Sequence, residues 1–151
     1  MEETMRYGVQ SWLWTTQFLE KDLPVFDKVH KIGYDGLEID LGHPETLPIE
    51  GIKRKMRETG VRCTFSVGLG PDQNVASPDP EKRRKGVEFA KKIIDIASEL
   101  ESDVLCGILY AAWGEVSKKG RRPEELEWAK ECVGRWLIMR RIMASFWHWS
   151  P

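Results

Sequence analysis

The chain has 151 residues, enough for one domain with a core of its own. Its 23 Lys and Arg against 24 Asp and Glu give a formal net charge of -1, which leaves no electrostatic footprint for nucleic acid or for an anionic membrane. At 41% hydrophobic and 31% charged it has the composition of a soluble globular protein, and no apolar run reaches the ~20 residues of a membrane span. The N-terminal "MEETMRYG" lacks the apolar centre of a signal peptide, and Cys63, Cys106 and Cys132 form no CxxC pair. Both features point to a cytoplasmic protein with reduced thiols, two of them buried in strands.

In chain order, "RYGVQSW" (Arg6 to Trp12) reads as a first strand. A helix follows from Leu23 to Ile32 with Val25, Phe26, Val29 and Ile32 on one face, stopped by Gly33. A second strand lies around Leu37 to Leu41. "PIEGIKRKMRETG" is the next helix, with Ile49, Ile52 and Met56 inward and Gly60 as its stop. The third strand, Val61 to Val67, runs into a glycine loop. In "SPDPEKRRKG", Asp79 caps a helix and Pro80 fits its first turn. That helix runs to Leu100 on a stripe of Phe89, Ile93, Ile96, Ala97 and Leu100. A fourth strand, Val104 to Leu109, and a helix opening at Pro123 complete four strand–helix units.

Alternating strands and helices with short connections imply parallel strands joined by right-handed crossovers. The strands lack strict alternation, as in a sheet covered on both faces. A small doubly wound sheet and half of a (β/α)8 barrel both fit. A full barrel needs ~250 residues.

Particular segments narrow this. "GYDGLEIDLG" resembles the second-strand segment of xylose-isomerase-like TIM barrels. "VGLGPDQNVASPDPEKRRKGVEF" is similar to the loop and third helix of the D-tagatose 3-epimerase / D-psicose (allulose) 3-epimerase group, and "GILYAAWGE" to that group's segment after the fourth strand. The resemblance covers Met5 to Val133. It implies an α/β fold: the N-terminal half of a (β/α)8 TIM barrel, about four βα units. It also implies inversion at C3 of a free ketohexose through a cis-enediolate, in enzymes that are often dimers or tetramers. There a divalent ion, Mn²⁺, Co²⁺ or Mg²⁺, stabilises the charge that develops on oxygen. That ion is held by two Glu, one Asp and one His, from the fifth strand onward. None of those positions falls in this chain, so no metal ligand or catalytic residue is assigned, and the chain as given is expected to be inactive and to bind no metal.

The resemblance assigns substrate-lining positions to Gln10, Trp14, Phe18, Ser66, Ile108 and Trp113. Gln10 stands where relatives often carry an aromatic; it can bond a sugar hydroxyl or pair a neighbouring strand. Trp113 follows the fourth strand, on the face where barrel active sites lie. Trp14 and Phe18 are equally suited to a core. Glu38 suits a buried salt bridge, His43 a solvated turn, Gly68 and Gly70 backbone geometry, and the run Lys82–Lys85 a solvated first helical turn. The partners expected are a small ketose and, for a half barrel with two open strand edges, a second copy; nucleic acid and membrane are excluded. Other sugar or sugar-phosphate isomerases and epimerases of the superfamily would keep the same half, as would a non-catalytic sugar-binding module.

The residues divide as 1–135, the partial barrel, and 136–151, an aberrant tail. Acidic residues stop before the tail, and three of the seven tryptophans, Trp136, Trp147 and Trp149, lie in it. Joining the last base of each tail codon to the first two bases of the next forces Gly-x-x-Leu-Ala-Leu-Glu/Val. This resembles the family's glycine turn and fifth strand, "ALEP". The tail therefore reads as a frameshift product. Resequencing the coding DNA across codons 130–151 is expected to find an inserted or missing base, with the other frame running on; a confirmed frame would contradict this.

Overall fold

The computed structural model describes residues 5–115 and 120–144. Its elements are β1 (Gly8–Gln10), α1 (Val25–Ile32), β2 (Gly36–Asp40), α2 (Ile49–Thr59), β3 (Arg62–Leu69), α3 (Pro80–Glu99), β4 (Leu105–Ala112) and α4 (Pro123–Ala144). The strands lie in the order β1-β2-β3-β4, and the β1–β2 and β2–β3 pairings are parallel. A doubly wound sheet reverses its strand order at a switch point. Here spatial order equals sequence order, as in an arc of a (β/α)8 barrel. No helix among the described residues is long and apolar enough to cross a membrane. The chain forms two compact units, residues 1–67 with 95–106 and residues 68–94 with 107–151.

In the first unit, odd-numbered residues of β2 and β3 are buried: Leu37, Ile39, Cys63, Phe65 and Val67. Even-numbered Glu38, Asp40, Thr64 and Ser66 are half-buried on the other face. The period of two thus separates an apolar face from a polar one. Helix α1 buries Val25, Phe26 and Val29 and ends at Gly33, whose φ of 96° is left-handed and whose N–H reaches the Val29 and His30 carbonyls. Ile32, expected inward, is 61% exposed, because the chain leaves the helix before that turn is covered. Gly60, with φ 73°, ends α2 in the same way; there Ile52 is buried, while Ile49 and Met56 are only half-buried. Helices α1 and α2 are linked by Lys55 Nζ, which donates to Asp27 Oδ1 and Oδ2 at 3.0 and 2.9 Å.

β1 is shorter than the sequence pattern implies. The Gln10 side-chain oxygen accepts the Trp12 N–H at 2.7 Å, folding Ser11–Leu13 into a 3-10 turn instead of extending the strand.

In the second unit, Leu69, Val75, Ala90, Ala129, Cys132 and Trp136 form the core. Asp79 caps α3 as expected, its Oδ1 accepting the Glu81 N–H at 2.9 Å. Phe89, expected inward, is half-buried; Gly86 and Ala90 are the buried residues on that part of the helix. β4 continues past Leu109 to Ala112. Of the three thiols, Cys63 in β3 and Cys132 in α4 are buried and Cys106 in β4 is exposed, so the two buried ones are not both in strands. Arg83 leaves the solvated basic run: it donates to the Ser77 and Pro78 carbonyls at 2.7 and 3.0 Å and stands 4.9 Å from the centre of the Trp128 ring. Helix α4 runs without a break across residues 135 and 136; residues 145–151 of the tail lie outside the described residues.

Gly86 is fixed by space. A Cβ there would stand 2.4 Å from the Gln73 carbonyl oxygen and 2.6 Å from Val75 Cγ1. The helix-propensity gain of Gly86→Ala, about 1 kcal/mol, is set against about 1–3 kcal/mol of overpacking on backbone that cannot yield. The variant is expected to show a lower urea midpoint; a raised midpoint would contradict the packing.

Candidate functional site

In the first unit the register aligns Gln10 with Glu38, Glu38 with Thr64, and Asp40 with Ser66. These residues share one polar face: Gln10 and Asp40 end β1 and β2, at the carboxyl side where parallel α/β folds bind their ligands, while Glu38 lies within β2 and Thr64 and Ser66 within β3. Gln10 Nε2 donates to Ser66 Oγ at 3.3 Å, while Gln10 Oε1 accepts from Trp12 N–H and from Ser11 Oγ at 3.3 Å. Of the two roles open to Gln10, cross-strand pairing is therefore realised, and it holds the amide in place. The Ser66 carbonyl accepts the Leu41 N–H at 2.8 Å, tying the ends of β2 and β3 together.

Trp14 is half-buried beside this face in the chain. Phe18 is 3% exposed and meets Phe26 edge-on, with ring centroids 6.1 Å apart at 88°, so its ring belongs to the packing of α1. Glu38 takes a thiol partner and not the expected ion pair: Cys106 Sγ lies 3.5 Å from Glu38 Oε2. The side chain of His43 is 59% exposed, as a turn residue should be, with Nδ1 3.6 Å from Glu45 Oε1.

Asp40 carries no role in the sequence reading. Burial pushes its carboxyl above the usual range, opposed by the Gly42 N–H, which donates to Oδ2 at 3.1 Å, and by His43. The available signal is the second of two acids, Glu38 and Asp40, that alternate with Leu37 and Ile39 in "GLEID".

In the second unit Trp113 is 61% exposed, so its indole is not packed into a core. Its N–H donates to the Leu69 carbonyl at 2.7 Å, and its Cβ would lie 3.3 Å from a Cβ at position 68. At Gly68 the closeness of the indole, and not a left-handed backbone, leaves little room for a side chain; Gly70, at φ -77°, is not left-handed either. Ile108 is half-buried on β4. A separate cleft of about 670 Å³, lined by Asn74, Ser77, Lys82 and Arg121 among others, includes neither Ile108 nor Trp113.

Among the described residues no three His, Cys, Asp or Glu side chains come together to hold a metal ion. They do not fit a divalent-ion site, and no chemical step is derived through one.

Residues 26–137 match the family model described as xylose isomerase-like TIM barrel. A ketose 3-epimerase of Arthrobacter globiformis is 28% identical over 109 residues, which is 72% of this chain and 38% of that protein. A D-psicose 3-epimerase of Ruminiclostridium cellulolyticum is 27% identical over 136 residues, 84% of this chain and 46% of that protein. The crystal structure of a D-allulose 3-epimerase from Methylomonas sp. in complex with D-allulose superposes with a TM-score of 0.83 at 26% identity, covering 87% of this chain and 46% of that one. The chain thus spans less than half the length of these relatives.

The thiols differ in reactivity. Burial pushes Cys63 up to about 12, and Cys132 is raised by burial too. Cys106 is raised by partial burial and then by the Glu38 charge, yet it is exposed. Iodoacetamide at pH 8 is expected to label Cys106 first, with Cys63 and Cys132 protected until unfolding. Glu38→Gln should speed Cys106 labelling by lowering its pKa; an unchanged rate would remove Glu38 from its surroundings.

Proposed function

The chain belongs to the xylose isomerase-like TIM-barrel family, and on that premise we propose that it carries the substrate-recognition part of a metal-dependent ketose 3-epimerase acting on a free ketohexose. The likeness to ketose and D-psicose 3-epimerases supports the reaction class. The observation that carries the reading is the Gln10–Ser66 pair, which joins the carboxyl end of β1 to the interior of β3.

An amide held by three protein contacts is preorganised, and a hydroxyl beside it can both donate and accept. Such groups recognise vicinal sugar hydroxyls with little ordering cost on binding. In the second unit, taken by itself, the exposed indole of Trp113 is an apolar plane of the kind that lies against the C–H face of a sugar. Trp14 borders the Gln10 turn, while Phe18 holds α1 behind it. The divalent ion of a ketose 3-epimerase would stabilise charge on the substrate's oxygens; no described residue is assigned to it or to the transfer of the C3 proton.

Calorimetry of the 151-residue chain with D-fructose tests recognition without turnover. Binding is expected, and Gln10→Ala and Ser66→Ala should each weaken it by about 2- to 10-fold, the range of a neutral hydrogen bond. No detectable binding, or binding unchanged in both variants, would contradict the reading.

A further inference from the structure

Asp40 ends β2 in direct register with Ser66, whose hydroxyl is held by Gln10. Its Oδ2 is fixed by the Gly42 N–H. A Cβ at position 42 would lie 2.8 Å from Oδ2, so a side chain there would make the carboxylate shift. Oδ1 has no hydrogen-bond partner among the described residues. Glu38 lies two residues earlier on the same face, and the two register rows, Gln10–Glu38–Thr64 and Asp40–Ser66, hold two acids and no Lys or Arg, His43 in the following turn being the group of opposite charge that acts on Asp40.

We propose that Asp40 is a specificity-determining residue that makes this site select an unphosphorylated ketose: Oδ1 accepts hydrogen bonds from sugar hydroxyls, and the carboxylate repels a phosphate group. The inference rests on the ketose-recognition reading above and deepens it. A hydroxyl ligand supplies the donors that a half-buried carboxylate needs. A sugar phosphate brings at least one further negative charge to a face with no compensating Lys or Arg in these rows, where reduced solvation strengthens repulsion. A site built for phosphate places Arg, Lys or helix N-terminal amides at this position instead.

The test is calorimetry of the 151-residue chain with D-fructose, D-fructose 1-phosphate and D-fructose 6-phosphate. The chain is expected to bind fructose about tenfold or more tighter than either phosphate. Asp40→Asn keeps the shape and still offers an oxygen to the Gly42 N–H, so the turn is retained. It should weaken fructose by about tenfold and narrow the gap to the phosphates. Should that variant fail to fold, Gly42→Ala displaces the same carboxylate from the other side and should narrow the gap likewise. Unchanged fructose affinity and an unchanged gap in the folded variant overturn the role of Asp40 and leave the ketose reading standing. A parent chain that binds none of the three sugars overturns both.

Discussion

The two-residue period of β2 and β3 is the constraint on which the first unit depends. Every odd residue from Leu37 to Leu41 and from Cys63 to Val67 is buried, and the largest of them, Leu37, Ile39, Leu41 and Phe65, are wholly so. Burying side chains of this size contributes on the order of 1.5–3 kcal/mol each. A slip of one residue would bury Glu38, Asp40, Thr64 and Ser66 in their place and expose the apolar set. Register is therefore strongly specified. The same register that hides the core places the amide, hydroxyl and carboxylates together on the opposite, polar face of the strands.

The second unit is held by other means. In its core, which runs from Leu69 and Val75 to Ala129, Cys132 and Trp136, α3 packs closely enough that residue 86 must be glycine. Arg83 joins the loop before α3 to α4, bonding two carbonyls with one nitrogen while its guanidinium covers the Trp128 ring. Planar, many-donor and weakly hydrated, a guanidinium can do both at once, which a lysine ammonium cannot.

Local signals were legible in the sequence. Gly33 and Gly60 stop their helices through left-handed φ, and Asp79 caps α3, because each depends on neighbours within one turn. The strand–helix order was legible too, and the observed strand order resolves the choice between a doubly wound sheet and a barrel arc. What escaped depends on distant partners or on turn chemistry. Gln10 shortens β1 by capping the turn it precedes, and its amide finds Ser66 fifty-six residues away. Gly68 suits backbone geometry in the sequence, but its φ is not left-handed and what crowds it is the Trp113 side chain, forty-five residues on. Asp40 passed as an ordinary strand-end acid because neither its register with Ser66 nor its hold on Gly42 is visible in composition.

The central claim is that the polar face shared by β1, β2 and β3 recognises a ketose. The most direct measurement is a ¹⁵N–¹H correlation spectrum of the 151-residue chain titrated with D-fructose. The account predicts saturable shifts confined in the first unit to the amides of Gln10, Trp12, Leu41, Gly42 and Ser66. Shifts centred instead on the opposite ends of the strands, around the dent lined by Lys53, Arg57 and Arg62, or no saturable shifts at all, would contradict it.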